Sequence, residues 1–321
     1  MNARWNGTLF ATLVAALIGF AAPAGGNGAF RFVILGDRTG GAQAGVYEQV
    51  WREAAAEHPA FVVSVGDTIQ GGVDATAQSE WEQVERVLSR YRRYPLYLVP
   101  GNHDIWSETS EKLFRKYSTH APHYSFDFKQ AHFVVLDNSR SDQFSAGEMD
   151  FLEQDLEAHR VQPVKFIFSH RPSWLLDVAM RNRTSALHQL ARRFGVQYVI
   201  AGHVHEMLHL NLEGVEYVSM PSSGGHLRAS GKYQDGWFFG HAVVEVKGKE
   251  IEFQIEEAKP PHGQGRITKL ADWGMLGLVS ELAAPASADI ATDSTALHSC
   301  ECFDHRAAGG SVSVGMPARY R

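Results

Sequence analysis

Five apolar runs, each rich in Val, Ile, Leu or Phe and each stopping at a cluster of polar residues, set the terms on which this chain can fold. They are FRFVILGD (residues 30–37), FVVSVGD (61–67), LYLVPGNHD (96–104), VKFIFSH (164–170) and QYVIAGHVH (197–205). A short unbroken apolar run marks a strand covered on both faces, as in a parallel sheet under helices. Between the runs, residues 46–57, 77–91, 108–117, 146–159 and 186–194 read as helices. In the second, Trp81, Val84, Val87, Leu88 and Tyr91 recur at spacings of three and four, so one face is apolar. Ser145 followed by Glu148 offers a capping box to the fourth.

Other apolar stretches, HYSFDF, HFVVLDN, EMLHLNLEGVEYVSM and WFFGHAVVEVKGKEIEFQIEEA, contain turn signals at Glu213-Gly214 and Lys247–Lys249 and read as hairpin strands. The sum predicts an α/β domain over residues 28–258. Two mixed β-sheets pack face to face as a sandwich flanked by helices, in four layers αββα. Past Ala258 the pattern fades into PPHGQG and then Ala, Ser and Gly-rich sequence, so residues 259–321 are expected to be a poorly ordered tail.

The first residues have the form of a secretory signal. Arg4 precedes an apolar run at residues 9–20, and Ala22 and Ala24 give an A-x-A cleavage pattern, so residues 1–24 read as a removed leader. The apolar run falls short of the roughly 20 residues that span a bilayer, which argues against stable membrane insertion of the mature chain. A secreted or periplasmic location follows. Cys300 and Cys302, the two cysteines of the chain, lie in the tail and do not staple the fold. The net charge of −6 supplies no basic surface for a nucleic-acid backbone.

Polar residues with metal-ligand chemistry stand at the ends of the five runs: Asp37, Asp67, Asn102 with His103, His170, then His203 and His205. Singly each has an ordinary explanation, since Gly-Asp after a strand is a common turn and Asn102-His103-Asp104 can cap a helix. Jointly they do not, because burying so many polar groups at successive strand ends opposes folding unless something binds them. In open α/β sheets, ligands bind beyond the carboxyl ends of the strands, where these groups converge. Carboxylate, amide and imidazole together suit two divalent ions such as Mn, Fe or Zn.

In order, spacing and completeness these blocks resemble the calcineurin-like metallophosphoesterase family: GD in GDRTG, GD in SVGDTIQ, GNHD, the His of FSHRP, and GHVH. The resemblance covers residues 30–258. It implies that Asp67 bridges two metals, with Asp37 and His205 on the first and Asn102, His170 and His203 on the second. It further implies that a metal-bridging hydroxide attacks phosphorus while His103, oriented by Asp104, acts as general acid on the leaving oxygen. Arg38 and Arg171, each beside a ligand, are the candidates to clamp the substrate phosphate.

One position departs from the pattern. Thr39 stands where many family members carry a His that binds the first metal, and Gln70 or water is the expected substitute. The chain is therefore expected to hydrolyse phosphate mono- or diesters of small phosphorylated substrates. The competing class is a degenerate phosphoesterase, a non-catalytic exported protein that binds metal and phosphate. His226, in the glycine-rich PSSGGH loop, is a candidate to line the pocket. The remaining histidines match no block and are expected at surface or half-buried positions.

Overall fold

Alternation of side chains along the first buried run decides how the layers form. The computed structural model describes residues 28–279, so the leader expected at residues 1–24 and the pair Cys300 and Cys302 lie outside the described residues. In chain order the strands are β1 (Phe30–Leu35), β2 (Val62–Ser64), β3 (Leu96–Leu98), β4 (Tyr124–Phe128), β5 (Ala131–Val135), β6 (Val164–Phe168) and β7 (Tyr198–Ala201). There follow β8 (Leu208–Leu212), β9 (Val215–Ser219), β10 (Gly240–Lys247), β11 (Glu250–Glu257), β12 (Ile267–Lys269), β13 (Trp273–Gly274) and β14 (Gly277–Leu278). The helices are α1 (Val46–Ala56), α2 (Asp74–Leu88), α3 (Glu108–Ser118), α4 (Ala146–Ala158), α5 (Leu175–Ala179) and α6 (Ala186–Phe194).

Two six-stranded mixed sheets result, ordered β12-β11-β10-β1-β2-β3 and β4-β5-β6-β7-β9-β8. On β1, Phe30, Phe32 and Ile34 point into the inter-sheet core, where Phe32 meets Phe133 and Phe166 of the other sheet edge to face at 5.4 and 5.3 Å. The alternate residues Val33 and Leu35 turn outward onto Val50, Trp51 and Ala54 of α1. The second sheet repeats the device: Val134, Ile167 and Val199 pack outward against Leu152 and Leu156 of α4 and Ala191 and Phe194 of α6. No helix among the described residues is long and apolar enough to cross a membrane.

Several local readings shift. The second helix begins at Asp74 rather than Ala77, and α5 is an additional short helix. Ser145 caps α4 by accepting from the Glu148 amide, but the Glu148 carboxylate turns to His123 and to the Asp137 amide, so the box is half-formed. The ordered fold also passes the expected boundary at Ala258. β12 pairs with β11, and Trp273, 2% exposed, packs into the main core against Tyr233 and Phe238. Apolar anchors too sparse to show periodicity hold residues 259–279, so the tail expectation fails there, and residues 280–321 lie outside the described residues.

His132, His188 and His241 are buried rather than at surface or half-buried positions. His132 on β5 contacts Asp127 through Nδ1 at 2.8 Å and Asp155 of α4 through Nε2 at 2.6 Å, and its ring stacks on His159 at 3.9 Å between centroids. Burial works to raise the Asp155 carboxyl, but its hydrogen bonds to His132 and Ser125 hold it below the usual carboxylate range. A carboxyl depressed on folding stabilises the fold above its unfolded pKa and loses that contribution as pH falls through its folded value. Asp155→Asn is therefore expected to lower stability at pH 7 by about 2 kcal/mol. The deficit should shrink below about pH 4 in denaturant titrations run across pH.

Candidate metal centre

Both sheets deliver side chains to the same edge of the molecule. β1, β2 and β3 are parallel in one sheet, β6 and β7 in the other, and the candidate ligands lie just past their carboxyl ends. Asp37, Asp67, His170 and His205 are buried there, while Asn102, His103 and His203 are only partly covered and form the open side.

Four atoms with metal-ligand chemistry crowd one point. His170 donates from Nδ1 to the Val65 carbonyl at 2.9 Å, so its Nε2 is left as a lone pair. That nitrogen stands 3.2 Å from Asp67 Oδ1, 3.1 Å from Asn102 Oδ1 and 3.2 Å from His203 Nδ1. Such atoms repel unless a proton or a cation sits among them. Burial alone would push the His170 imidazole down, but the Asp67 carboxylate pulls it up to about 9. Burial and the neighbouring His170 charge drive His203 far below the ordinary imidazole range. Asp67, which burial would raise, is held well down by His170 and His103. A divalent ion among Asp67, Asn102, His170 and His203 answers all of these demands, and the mixed N and O donor set suits a borderline ion.

A second point needs a cation for a separate reason. His205 Nδ1 donates to the His226 carbonyl at 2.8 Å, which aims Nε2 at Asp37 Oδ2, 3.2 Å away. This Nε2 is buried without a hydrogen-bond donor, and a bare lone pair against a carboxylate is stable only with a positive charge between them. Asp37 and His205 thus fit the first metal. Gln70 does not join them through its carbonyl oxygen: Oε1 accepts from the Thr39 hydroxyl at 2.5 Å and from the Gly41 amide at 3.3 Å. The residue expected to replace the missing imidazole instead ties down the threonine that stands in its place, so water is the remaining candidate.

The backbone is bent to make these contacts. Asp67, His203 and His205 take left-handed φ values of 52°, 71° and 61°, a region that disfavours side-chain-bearing residues by about 1 kcal/mol or more. His203 and His205 therefore do not lie on an extended segment. The bend turns His203 toward His170 and His205 toward Asp37. Glycine makes room for it: a Cβ on Gly202 would run into the Asp37 carboxylate, and one on Gly66 would stand 2.7 Å from His170 Nδ1.

The other predicted residues divide. The His103 ring meets the Gln70 carbonyl through Nδ1, and its Nε2 faces the open side 4.0 Å from Asp67 Oδ2. Asp104 does not orient that ring; its carboxylate accepts from the amides of Thr68 at 2.8 Å, Ile69 at 3.2 Å and Gly101 at 2.9 Å. Burial, with the charge of Asp67, pushes it up to about 6. It knits the two ligand loops together instead. Arg38 turns away to the Thr68 carbonyl at 3.0 Å and lies over the Tyr47 ring. Arg171 remains close enough to His203 to bear on its charge, though it is paired with Asp142 at 2.5 Å. Arg228 bears on His203 too, and its Nη2 lies 3.8 Å from where a Cβ of Gly40 would be. No motif marks Arg228 in the sequence; its place beside the ligands comes from the PSSGGH loop, whose His226 supplies the backbone carbonyl for His205.

The calcineurin-like phosphoesterase family model matches residues 30–207, the span that carries every ligand named above. The chain belongs to the calcineurin-like phosphoesterase family. That family comprises phosphoric ester hydrolases dependent on two metal ions. Tartrate-resistant acid phosphatase type 5 of Homo sapiens is 26% identical over 294 residues, covering 73% of this chain and 89% of the relative. The 3',5'-cyclic adenosine monophosphate phosphodiesterase CpdA of Haemophilus influenzae is 22% identical over 209 residues, covering 60% and 74%. Purple acid phosphatase 15 of Arabidopsis thaliana is 26% identical over 152 residues, 41% of this chain, and the match spans only 29% of that longer relative. In fold, purple acid phosphatase PPD1 from yellow lupin superposes with a TM-score of 0.58 at 15% identity, over 75% of this chain and 53% of that one.

If glycine is required where Gly202 meets Asp37, Gly202→Ala should displace the carboxylate and lose at least the ion that Asp37 holds. Plasma mass spectrometry of the purified variant reads that loss, and an unchanged far-UV spectrum separates it from unfolding. Full metal content in the variant would refute the steric argument.

Proposed function

We propose that this chain is an exported metal-dependent hydrolase of small phosphate mono- or diesters in which His103 is the general acid. The observation that carries the reading is the convergence of Asp67 Oδ1, Asn102 Oδ1, His170 Nε2 and His203 Nδ1 on one point beside the unpartnered His205 Nε2. Cations bound at the two points would neutralise charge on the phosphoryl oxygens and acidify the attacking water.

The chain's own residues supply the rest. His103 Nδ1 bonds to the Gln70 carbonyl and so carries a proton, which leaves Nε2, on the open side, to hold and hand over the second one to the leaving oxygen. Arg228, near His203, is the candidate to take phosphate oxygens, whereas Arg171 is paired with Asp142 and Arg38 with the Thr68 carbonyl. Asp37, His170 and His205 are fully buried on the core side of the site, which leaves the side of Asn102, His103 and His203 as the approach for substrate and water.

A second reading is favoured by a specific contact. Because the Thr39 hydroxyl and Gln70 Oε1 bond to each other, Asp37 and His205 are the chain's named donors to the first ion besides the bridging Asp67, and a weakly held ion would leave a binding protein without turnover. Assays with Mn against mono- and bis-aryl phosphates decide: metal-stimulated turnover of either supports the enzyme, and its absence with both supports the binding protein. In the enzyme, His103→Ala should slow esters of poor leaving groups by about 10²- to 10⁴-fold and 4-nitrophenyl esters by less. Gln70→Ala should leave metal content unchanged by plasma mass spectrometry, since its carbonyl oxygen is already engaged.

A further inference from the structure

A groove of about 300 Å³ opens at the metal centre, with the candidate ligand His203 in its lining. Its lining is mostly apolar: Pro172, Leu175, Leu176, Ala179, Val204 and Met275, with Gln143 and Ser173 as uncharged polar members. Leu176 is 74% and Met275 42% exposed, so two large apolar side chains that line the groove also face water. One exposed Leu is ordinary, but two exposed apolar side chains lining a concavity that also takes in a candidate metal ligand fit a ligand pocket.

Both side chains stand on anchored supports. α5 follows immediately on Arg171-Pro172 and is held by Trp174 and Val178, 3% and 4% exposed. Met275 sits at the tip of the β13–β14 hairpin, whose root Trp273 is in the core. That hairpin lies beyond residues 30–207, so this wall is not part of the family's matched span.

Charge fixes the chemistry further. Among the described residues lining the groove, Arg171 is the one basic side chain, and Asp142 neutralises it at 2.5 Å while keeping its own carboxylate 46% exposed. Such a wall offers a second phosphate or a carboxylate no uncompensated positive charge, and the exposed Asp142 carboxylate repels both. We infer that the groove seats the organic part of the substrate, an uncharged alkyl or aryl group, while the phosphate lies on the metal centre; this rests on the phosphoesterase reading above. Sugar phosphates and nucleoside polyphosphates, whose organic parts are polar or carry further charge, fit it poorly.

The test uses phosphonates as uncleavable probes. Methyl-, butyl- and hexylphosphonate, with 2-carboxyethylphosphonate as the anionic arm, are assayed as competitive inhibitors of whichever aryl phosphate ester the Mn-loaded protein hydrolyses. The inhibition constant should fall by about two- to fourfold per added methylene. The carboxyethyl compound should bind more weakly than the butyl one. The double variant Leu176→Ser with Met275→Ser should flatten the series, whereas Val161→Ser, 90% exposed before the start of β6, should keep it steep. A flat series in the unmodified protein, or a steep one in the double variant, overturns the groove inference alone. Failure to hydrolyse any ester overturns the phosphoesterase reading and this inference with it.

Discussion

Carboxylate oxygens and imidazole lone pairs do not stay together without a proton or a cation between them, and the rest of this structure is arranged to hold six candidate metal ligands together. Asp37, Asp67, Asn102, His170, His203 and His205 come from residues far apart in sequence, and the electrostatic demand at each is set by what its other side is doing. His170 spends one nitrogen on Val65 and His205 spends one on His226, so each is oriented by the backbone before any ion arrives. Helices outside the sheets, and the aromatic stack of Phe32, Phe61, Phe133 and Phe166 between them, keep the strand ends in place against that repulsion.

Much of this was legible in sequence because it depends on local rules. A buried strand that ends in Gly-Asp, Gly-Asn-His or Gly-His-x-His carries both the apolar run and the ligand in one short stretch. The sheet rule then places those stretches at one edge. The two-sheet architecture, with the hairpins added, and the gathering of the candidate ligands at one edge follow from those rules. The hairpins around Glu213-Gly214 and Lys247–Lys249 were equally plain from their turn residues.

What was not legible depends on which partner a polar side chain finds across the fold. Asp104 neighbours His103 in sequence, but three amides from other loops claim its carboxylate. Gln70 had the right chemistry for a ligand, and Thr39 and Gly41 reached its oxygen first. Arg38 and Arg171 looked equivalent beside their ligands; one packs back on Tyr47 and the other stays near His203. Arg228 had no motif at all. The fold's extension past Ala258 was hidden for a different reason: Leu270, Trp273, Leu278 and a three-residue strand anchor it, too little to make a periodic pattern.

That anchoring gives the β13–β14 hairpin two unlike ends. Its root, Trp273, is part of the main core, where any change in size is felt by Tyr233 and Phe238. Its tip, Met275 and Leu276, is in water and constrained by nothing in the core. Mutation can rewrite the tip freely while the root is fixed, so the hairpin is a place where drift among related chains would change what the site accepts without disturbing the machinery beside it.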